Sequence, residues 1–340
     1  MRKDIRDLRP GELRDYIISS GEPAYRSSQI CEWLYGKQVR IFDEMQNIPV
    51  SLRKVLKENF TINSLELKEK EVSKDGVVKY LLVLKDSNVI ETALIPSEDR
   101  LTLCVSTQAG CRFGCLFCAS ALGGFKRNLV ASEITGQLIE VQRLTGKKVT
   151  NIVFMGVGEP LDNLDNLIAS VDILNHDEGF GIGRRRMTVS TCGLVPGIEK
   201  LKDKKTGVGL SVSLHSADEA KRSHLIPVNR KYGLTCLKNA LKDFTEGCGY
   251  PVTLEYVLIP DYNMRKKDAE KLYSFCRGLK SKLNFIPYNP VSEKPWRMPD
   301  KTEIGKFTSE VEKMNLFYTL RKPRGRDIQA ACGQLRLNKQ

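Results

Sequence analysis

From residue 101 onward, short apolar runs alternate with helix-period segments, and this constrains the fold more than any other feature of the 340-residue chain. The runs are Leu101–Val105, Ile152–Met155, Met187–Val189, Val208–Leu214, Val252–Ile259 and Leu283–Ile286. Between them, Ser132 offers an N-cap to a helix with Ile134, Leu138, Val141 and Leu144 on one face. A second helix gathers Leu164, Leu167, Ile168, Val171 and Leu174, and a third aligns Ala269, Leu272, Tyr273, Cys276 and Leu279. Six strand–helix units imply an α/β fold with a parallel sheet, closed or partly closed like a TIM barrel. An open doubly wound sheet shows the same alternation, so periodicity leaves both open. Either way, chemistry belongs just past the C-terminal strand ends, and the unusual residues of this sequence fall there.

The first hundred residues read differently. Residues 1–62 form a small helical unit, punctuated by Pro10-Gly11, with Ile17 and Ile18, Ile30, Trp33 and Leu34, Leu52, and Val55 and Leu56 near helical spacing. Residues 63–96 form a β-hairpin extension about the turn Lys74-Asp75-Gly76, and a third strand, Val89 to Ile95, stops at Pro96. The core then spans 97–327, and 328–340 is a C-terminal tail.

No apolar run approaches the ~20 residues that span a bilayer, and with the charged start Met1-Arg2-Lys3-Asp4 no secretory signal is expected. The expected location is the cytoplasm, where thiols stay reduced. Ten cysteines there favour metal or redox chemistry over a disulfide framework. With 54 Lys and Arg against 41 Asp and Glu, the net charge of +13 permits a polyanionic partner.

The strongest local signal is Cys111-Arg-Phe-Gly-Cys115-Leu-Phe-Cys118. Thiolates are soft ligands for iron–sulfur clusters or zinc. Structural zinc wants four closed ligands, usually in CxxC pairs, whereas this loop supplies three. A zinc knuckle would have to recruit Cys104 from within a strand run. Three cysteines instead suit a cubane with one iron left open.

The CxxxCxxC pattern, with Phe117 before its last cysteine, resembles the radical S-adenosylmethionine (SAM) superfamily. The resemblance implies a partial (β/α)6 TIM-like barrel and one [4Fe-4S] cluster on Cys111, Cys115 and Cys118. Its open iron would chelate SAM, and one electron would release a 5′-deoxyadenosyl radical. Met155-Gly156-Val157-Gly158-Glu159-Pro160 looks like the superfamily's GEP motif, with Gly158 and Glu159 holding the methionyl amine. Alone, it would read as a strand-to-loop turn. Ser190, Ser213, Leu214 and His215 at two strand ends, and Asn289 at a sixth, are further SAM contacts by resemblance. Outside that context, hydroxyls there cap helices and a single His is structural.

Four separated blocks then resemble one family, the dual-specificity RNA methyltransferases of the RlmN type. They are Glu22–Arg26, Ile90–Pro96, Leu103–Cys111 and Ala330–Leu335. The resemblance implies methylation at C2 of adenosine in large-subunit ribosomal RNA and in tRNA, with two SAM molecules per turnover. Cys332 would be methylated first, and a radical formed on its methyl group would add to C2. Cys104 would then attack the Cys332 sulfur, releasing product with a transient disulfide. Glu91 is the implied proton acceptor, with Cys104 as its rival. By spacing alone, Cys332 is a free thiol in a mobile tail, Cys104 a small buried hydrophobe, and Glu91 a solvent-facing strand residue.

The implied partners are RNA and a flavodoxin-like reducing system, with no membrane, and the protein is expected to be a monomer. RNA phosphates need basic landing sites. The candidates are Arg184–Arg186, Arg265–Lys267 and Arg321–Arg326, the last being favoured because it precedes Cys332. The chain departs from the family pattern at Ala119-Ser120-Ala121 and at Cys192. Cys31, Cys192, Cys236, Cys248 and Cys276 are read as structural. Two alternatives stay open: a Cfr-type enzyme methylating C8, and a zinc-stabilised RNA-binding protein without catalysis.

Overall fold

The structure, a computed structural model, describes residues 2–336. Three helices open the chain: α1 (Pro10–Ser19), α2 (Tyr25–Cys31) and α3 (Val50–Asn59). A two-residue parallel pairing of Lys3–Asp4 with Phe60–Thr61 ties the ends of this unit together. The buried Asp4–Arg6 ion pair at 3.0 Å reinforces that closure, because Asp4 also accepts from the Asn63 N–H.

The ten strands of the main sheet are β1 (Glu66–Val72), β2 (Val78–Val83), β3 (Val89–Ser97), β4 (Arg100–Cys104), β5 (Asn151–Phe154), β6 (Met187–Thr191), β7 (Gly209–Ser213), β8 (Val252–Leu258), β9 (Ser281–Pro287) and β10 (Tyr318–Leu320). They pair in chain order. The first four run antiparallel to their neighbours, and β4 through β10 run parallel. The hairpin extension is therefore continuous with the core sheet. β3 runs through Pro96 to Ser97, past the stop the proline suggested. The two outermost strands, β1 and β10, do not pair, so the barrel is partial.

The crossovers carry α4 (Ala131–Thr145), α5 (Leu164–Asn175), α6 (Val195–Asp203), α7 (Glu219–Leu225), α8 (Leu234–Cys248), α9 (Lys266–Cys276) and α10 (Lys301–Glu312). Two expectations need correction. Ser132 is not the cap of α4. That helix starts at Ala131, where the Glu133 carboxylate accepts from the Val130 N–H, and the Ser132 N–H reaches across to Asp7 at 2.8 Å. Leu279 lies beyond the end of α9, whose Tyr273 faces outward. One buried apolar cluster runs from Ile5 to Val311, so the N-terminal helices and the barrel share a core.

Candidate active site

A short hairpin, Gln108–Gly110 against Phe125–Asn128, follows β4 and clamps the loop that carries Cys111, Cys115 and Cys118. Gly110 has φ +80°, and a Cβ there would lie 1.7 Å from the Gly124 carbonyl oxygen. Only glycine fits so close a backbone approach. The Cys111 N–H donates to that same carbonyl at 3.0 Å.

The three thiols are free and line one cavity together with Gly158, Glu159, Ser190, Ser213, His215, Asn289 and Cys332. Side chains from β5 through β9 or their ends reach this single cavity, which a flat sheet could not arrange. Among the described residues, no three His, Cys, Asp or Glu side chains converge on a point that a single ion would fill. Thiols set around a wall suit a multi-atom cluster better than zinc, whose ligands sit about 2.0–2.3 Å from one centre. Cys104, the fourth ligand of the zinc reading, lines a different cavity. Burial pushes the Cys111 and Cys118 thiols up, so a bound metal would be what draws off their protons.

Gly158 has φ +107°, and a Cβ there would meet the Gln108 side chain at 2.5 Å. Gln108 explains that closeness: its Oε1 accepts from the Glu159 N–H, and its amide donates to Asn128 and Asp162, each at 2.8 Å. The Glu159 carboxylate is buried, which raises its pKa, while two backbone donors pull the other way. These are the N–H groups of Cys192 at 2.8 Å and Leu161 at 3.1 Å. A carboxylate held this way is aimed before any ammonium arrives.

His215 adopts φ +54° and is buried edge-on against Phe117, with ring centroids 4.4 Å apart. Its Nδ1 accepts from the Val257 N–H, which leaves Nε2 as the donor. Burial first, and Arg222 second, hold its pKa down at about 3, so the ring is neutral. Asn289 donates to the Cys332 carbonyl at 3.2 Å, while its Oδ1 is buried without a partner, as is the Tyr288 hydroxyl on the same wall. Orphaned polar atoms of this kind mark a cavity made for a polar ligand. Leu214 is the exception: its side chain is in the core, it does not line the cavity, and its backbone already bonds Glu255 and Arg222.

A second cavity lies beside the first and is lined by Cys104, Ser97, Arg321, Lys322, Pro323, Arg324 and Cys332, among others. Met155, Ile286, Asn289, Arg321, Cys332 and Gly333 line both cavities, so Cys332 sits on the partition between them. Its tail is tied down at two places. At the base, Asp75 accepts from the Gly325 N–H, Ser73 donates to Asp327 at 2.5 Å, and Lys79 donates to the Ile328 carbonyl at 2.7 Å. At the head, Ala119 and Ser120 of the cysteine loop donate to the Gly333 and Leu335 carbonyls at 2.7 and 2.6 Å. Cys332 itself stays exposed.

Glu91 on β3 is buried, which reverses the solvent-facing reading. One oxygen accepts from the Arg336 N–H at 2.8 Å, and the other lies 3.8 Å from the buried Lys79 ammonium. It lines neither cavity, because the tail lies over it.

The basic clusters separate by place. Arg184–Arg186 precedes β6, at the end of the sheet opposite the cavity, and Arg184 is spent on Asn175, Asp172 and the Thr206 carbonyl. Arg265–Lys267 follows β8 on the cavity side, with Lys266 and Lys267 exposed. Arg324 braces the Pro96 and Asp75 carbonyls, whereas Lys322 and Arg326 are exposed. Sequence reading missed Cys192 as a wall residue, buried in the same apolar cluster as Cys115. It also missed Lys79, Gln108, Arg222 and Glu255. Only Gln108 carried any signal, being adjacent to the cysteine loop.

A family model described as the Radical SAM superfamily matches residues 105–275, and one described as the ribosomal RNA large subunit methyltransferase N-terminal domain matches 3–62. A probable dual-specificity RNA methyltransferase RlmN of Akkermansia muciniphila is 41% identical over 97% of this chain and 94% of that protein. Its counterpart in Staphylococcus carnosus is 41% identical over 98% and 93%. The crystal structure of a radical SAM methyltransferase from Sphaerobacter thermophilus superposes with a TM-score of 0.91 at 38% identity, covering 98% of this chain and 99% of that one.

Proposed function

Because the chain belongs to the RlmN family of the radical SAM superfamily, we propose that it methylates C2 of adenosine in large-subunit ribosomal RNA and in tRNA, through a methyl-cysteine on Cys332. The observation that carries this reading is the seat of Cys332 on the partition between two cavities, one with the three-cysteine loop and one with Cys104. A group that must collect a methyl on one side and deliver it on the other belongs at such a wall.

Cys111, Cys115 and Cys118 would hold one [4Fe-4S] cluster. When bound there, cluster and SAM supply one-electron cleavage of the sulfonium, and SAM also supplies the methyl group. Glu159 orients the methionyl ammonium, with its oxygens fixed by the Cys192 and Leu161 N–H groups. His215 offers a neutral Nε2–H, and Asn289 offers its unpartnered Oδ1. Ser190 and Ser213 line the same wall. On the other side, the adenine would enter beside Cys104, under the basic rim of Lys322 and Arg324. Cys104 then resolves the protein–RNA bond by attacking the Cys332 sulfur. Glu91 accepts the C2 proton once the head of the tail lifts and frees the oxygen now bonded to Arg336. A reducing system of flavodoxin type would deliver the electron.

The two thiols act at opposite ends of the cycle, so their variants separate. With SAM, a reductant and RNA, Cys332→Ala gives no protein–RNA crosslink. Cys104→Ala accumulates one, visible on denaturing gels and by intact mass. If neither variant crosslinks and Cys104→Ala turns over normally, the methyl-cysteine reading is wrong. Digests that contain C8-methyladenosine in place of the C2 product would reassign the chemistry to the Cfr type.

A further inference from the structure

Arg321 is the Lys or Arg residue that lines both cavities. Its backbone is fixed at the sheet edge: β10 pairs with β9, and the Arg321 N–H donates to the Phe285 carbonyl at 2.8 Å. Beneath it a polar ladder crosses the sheet. Ser211 donates to Glu255 Oε1 at 2.8 Å, Asn284 donates to Glu255 Oε2 at 2.6 Å, and Thr319 donates to Asn284 Oδ1 at 2.8 Å. Both Glu255 oxygens are thereby engaged. Among the described residues, the Arg321 guanidinium has no hydrogen bond or ion pair of its own. A guanidinium held in a cavity without a hydrogen-bonded partner, reached by the already engaged Glu255 carboxylate only through its charge, is placed for an anion that arrives later. Cys104 and Cys332 line the second cavity with it, and a thiolate is the anion that the resolving step must create there.

We propose that Arg321 is a positioning residue for the resolving step, its guanidinium stabilising the Cys104 thiolate as that sulfur attacks Cys332. The inference rests on the methyl-cysteine reading above. Before the attack, the Cys104 proton leaves to water through the cavity. A lone pair on the Cys104 sulfur then forms the S–S bond, and the bond from the Cys332 sulfur to the RNA-bound methylene breaks. Its electron pair goes to the methylene carbon, which takes up a proton and becomes the methyl group. The two cysteines end as a disulfide, which a thiol reductant opens before the next turnover.

Cys104 needs this help. It packs with Val77, Ala93, Val157, Ala330 and Leu335, and that burial pushes its thiol up to about 12. Cys332 adds to the rise, whereas Arg321 pulls the other way. The strand side of the cavity offers Ile95, Ser97, Val153 and Met155, none of them charged. The other charges there are Lys322, which is exposed, and Arg324, which is committed to two backbone carbonyls.

The test compares Arg321→Gln and Arg321→Lys with the native enzyme, in the presence of SAM, reductant and RNA. Arg321→Gln is expected to methylate Cys332 and form the protein–RNA adduct, then to release it at least about tenfold more slowly near pH 7, one pKa unit of thiolate being a factor of ten. Release rises about tenfold per pH unit in native and variant alike up to about pH 9, because burial keeps the Cys104 thiol protonated throughout that range, so the deficit persists, and Lys restores part of the rate. In Cys104→Ala the adduct does not respond to pH. A second measurement needs no turnover. Cys332 is converted to its thionitrobenzoate mixed disulfide in a chain carrying Cys236→Ser and Cys248→Ser, and the release of thionitrobenzoate by Cys104 is followed. Arg321→Gln slows that release by a similar factor, with the same pH dependence. Native release rates at every pH, or a variant that fails to methylate Cys332, overturn the proposal. Absence of any adduct in Cys104→Ala overturns the underlying reading instead.

Discussion

The cysteine loop and the C-terminal tail both bring thiols to one cavity, yet they are held there by opposite means. The loop is braced locally: its hairpin closes between Gln108 and Asn128, Gly110 lies against Gly124, and the Cys111 N–H bonds across the base. The tail is braced at long range, by Ser73, Asp75 and Lys79 from the extension and by Ala119 and Ser120 from the loop itself. A local brace suits ligands that must never move. Scattered hydrogen bonds, each worth about 1 kcal/mol, suit a thiol that must leave one wall and reach another. Rigidity and mobility are thus divided between two segments that touch.

The largest effect that would break this comparison is removal of a loop thiol. Changing Cys111, Cys115 or Cys118 to Ala is expected to abolish the visible chromophore and all RNA methylation, while far-UV circular dichroism and the thermal midpoint change little. Retained chromophore and methylation in two of the three variants would refute the ligand assignment. A native protein that is colourless and carries one zinc would refute the cluster. Gly110→Ala ranks next. A side chain at φ +80°, driven into the Gly124 carbonyl, costs at least about 3 kcal/mol of strain. The expected result is a hairpin that no longer closes and poor iron incorporation. Full iron loading in that variant would mean that the loop is not braced as described.

The same division explains what the sequence disclosed. The six apolar runs fall within a residue or two of β4 to β9, because strands buried on both faces read as continuous apolar stretches. The thiols of the loop were legible because their spacing is local. His215 and Glu159 were legible only through motif context, since nothing in isolation separates them from structural residues. Lys79 gave no signal at all. It lies in an apolar run, and its role appears only when β2, β3 and the tail are assembled around it. Glu91 was misread on spacing because alternation predicts which face a residue takes, not whether a distant tail covers that face. Arg184 looked like an RNA contact because a charge run does not reveal at which end of a strand it will sit.

A smaller effect tests the base of the tail. Lys79 is buried, pairs with Glu71 at 2.9 Å and faces Glu91 while holding the Ile328 carbonyl. Removing one partner of a buried pair costs about 3–5 kcal/mol, so Lys79→Met is expected to lower stability and to open the tail to proteolysis between residues 324 and 336. Cluster content should be unchanged, while RNA methylation falls roughly tenfold, about 1.4 kcal/mol in barrier. Lys79→Arg should recover much of the loss. If Lys79→Met lowers iron content as strongly as methylation, loop and tail are not separately held.

The smallest effect concerns the joint between loop and barrel, where His215 packs against Phe117. Its folded pKa is depressed to about 3, by burial first and Arg222 second, against an ordinary value of 6.5. Below pH 6.5 the unfolded chain takes up a proton at this residue while the folded one does not. Folding therefore loses stability as pH falls from about 6.5 towards about 3, and is unaffected by this group above that window. One such group changes stability by at most about 1.4 kcal/mol per pH unit. Asn tolerates the left-handed backbone at φ +54° and does not titrate. His215→Asn is thus expected to be less stable than the native protein at pH 7, having lost the Val257 bond, and to close that gap as pH drops from about 6 to about 4. Anaerobic urea melts at several pH values give the difference directly. A gap that stays constant across that range would mean that His215 is protonated in the folded protein, and that the ring presents a cation, not a neutral donor, to the cavity.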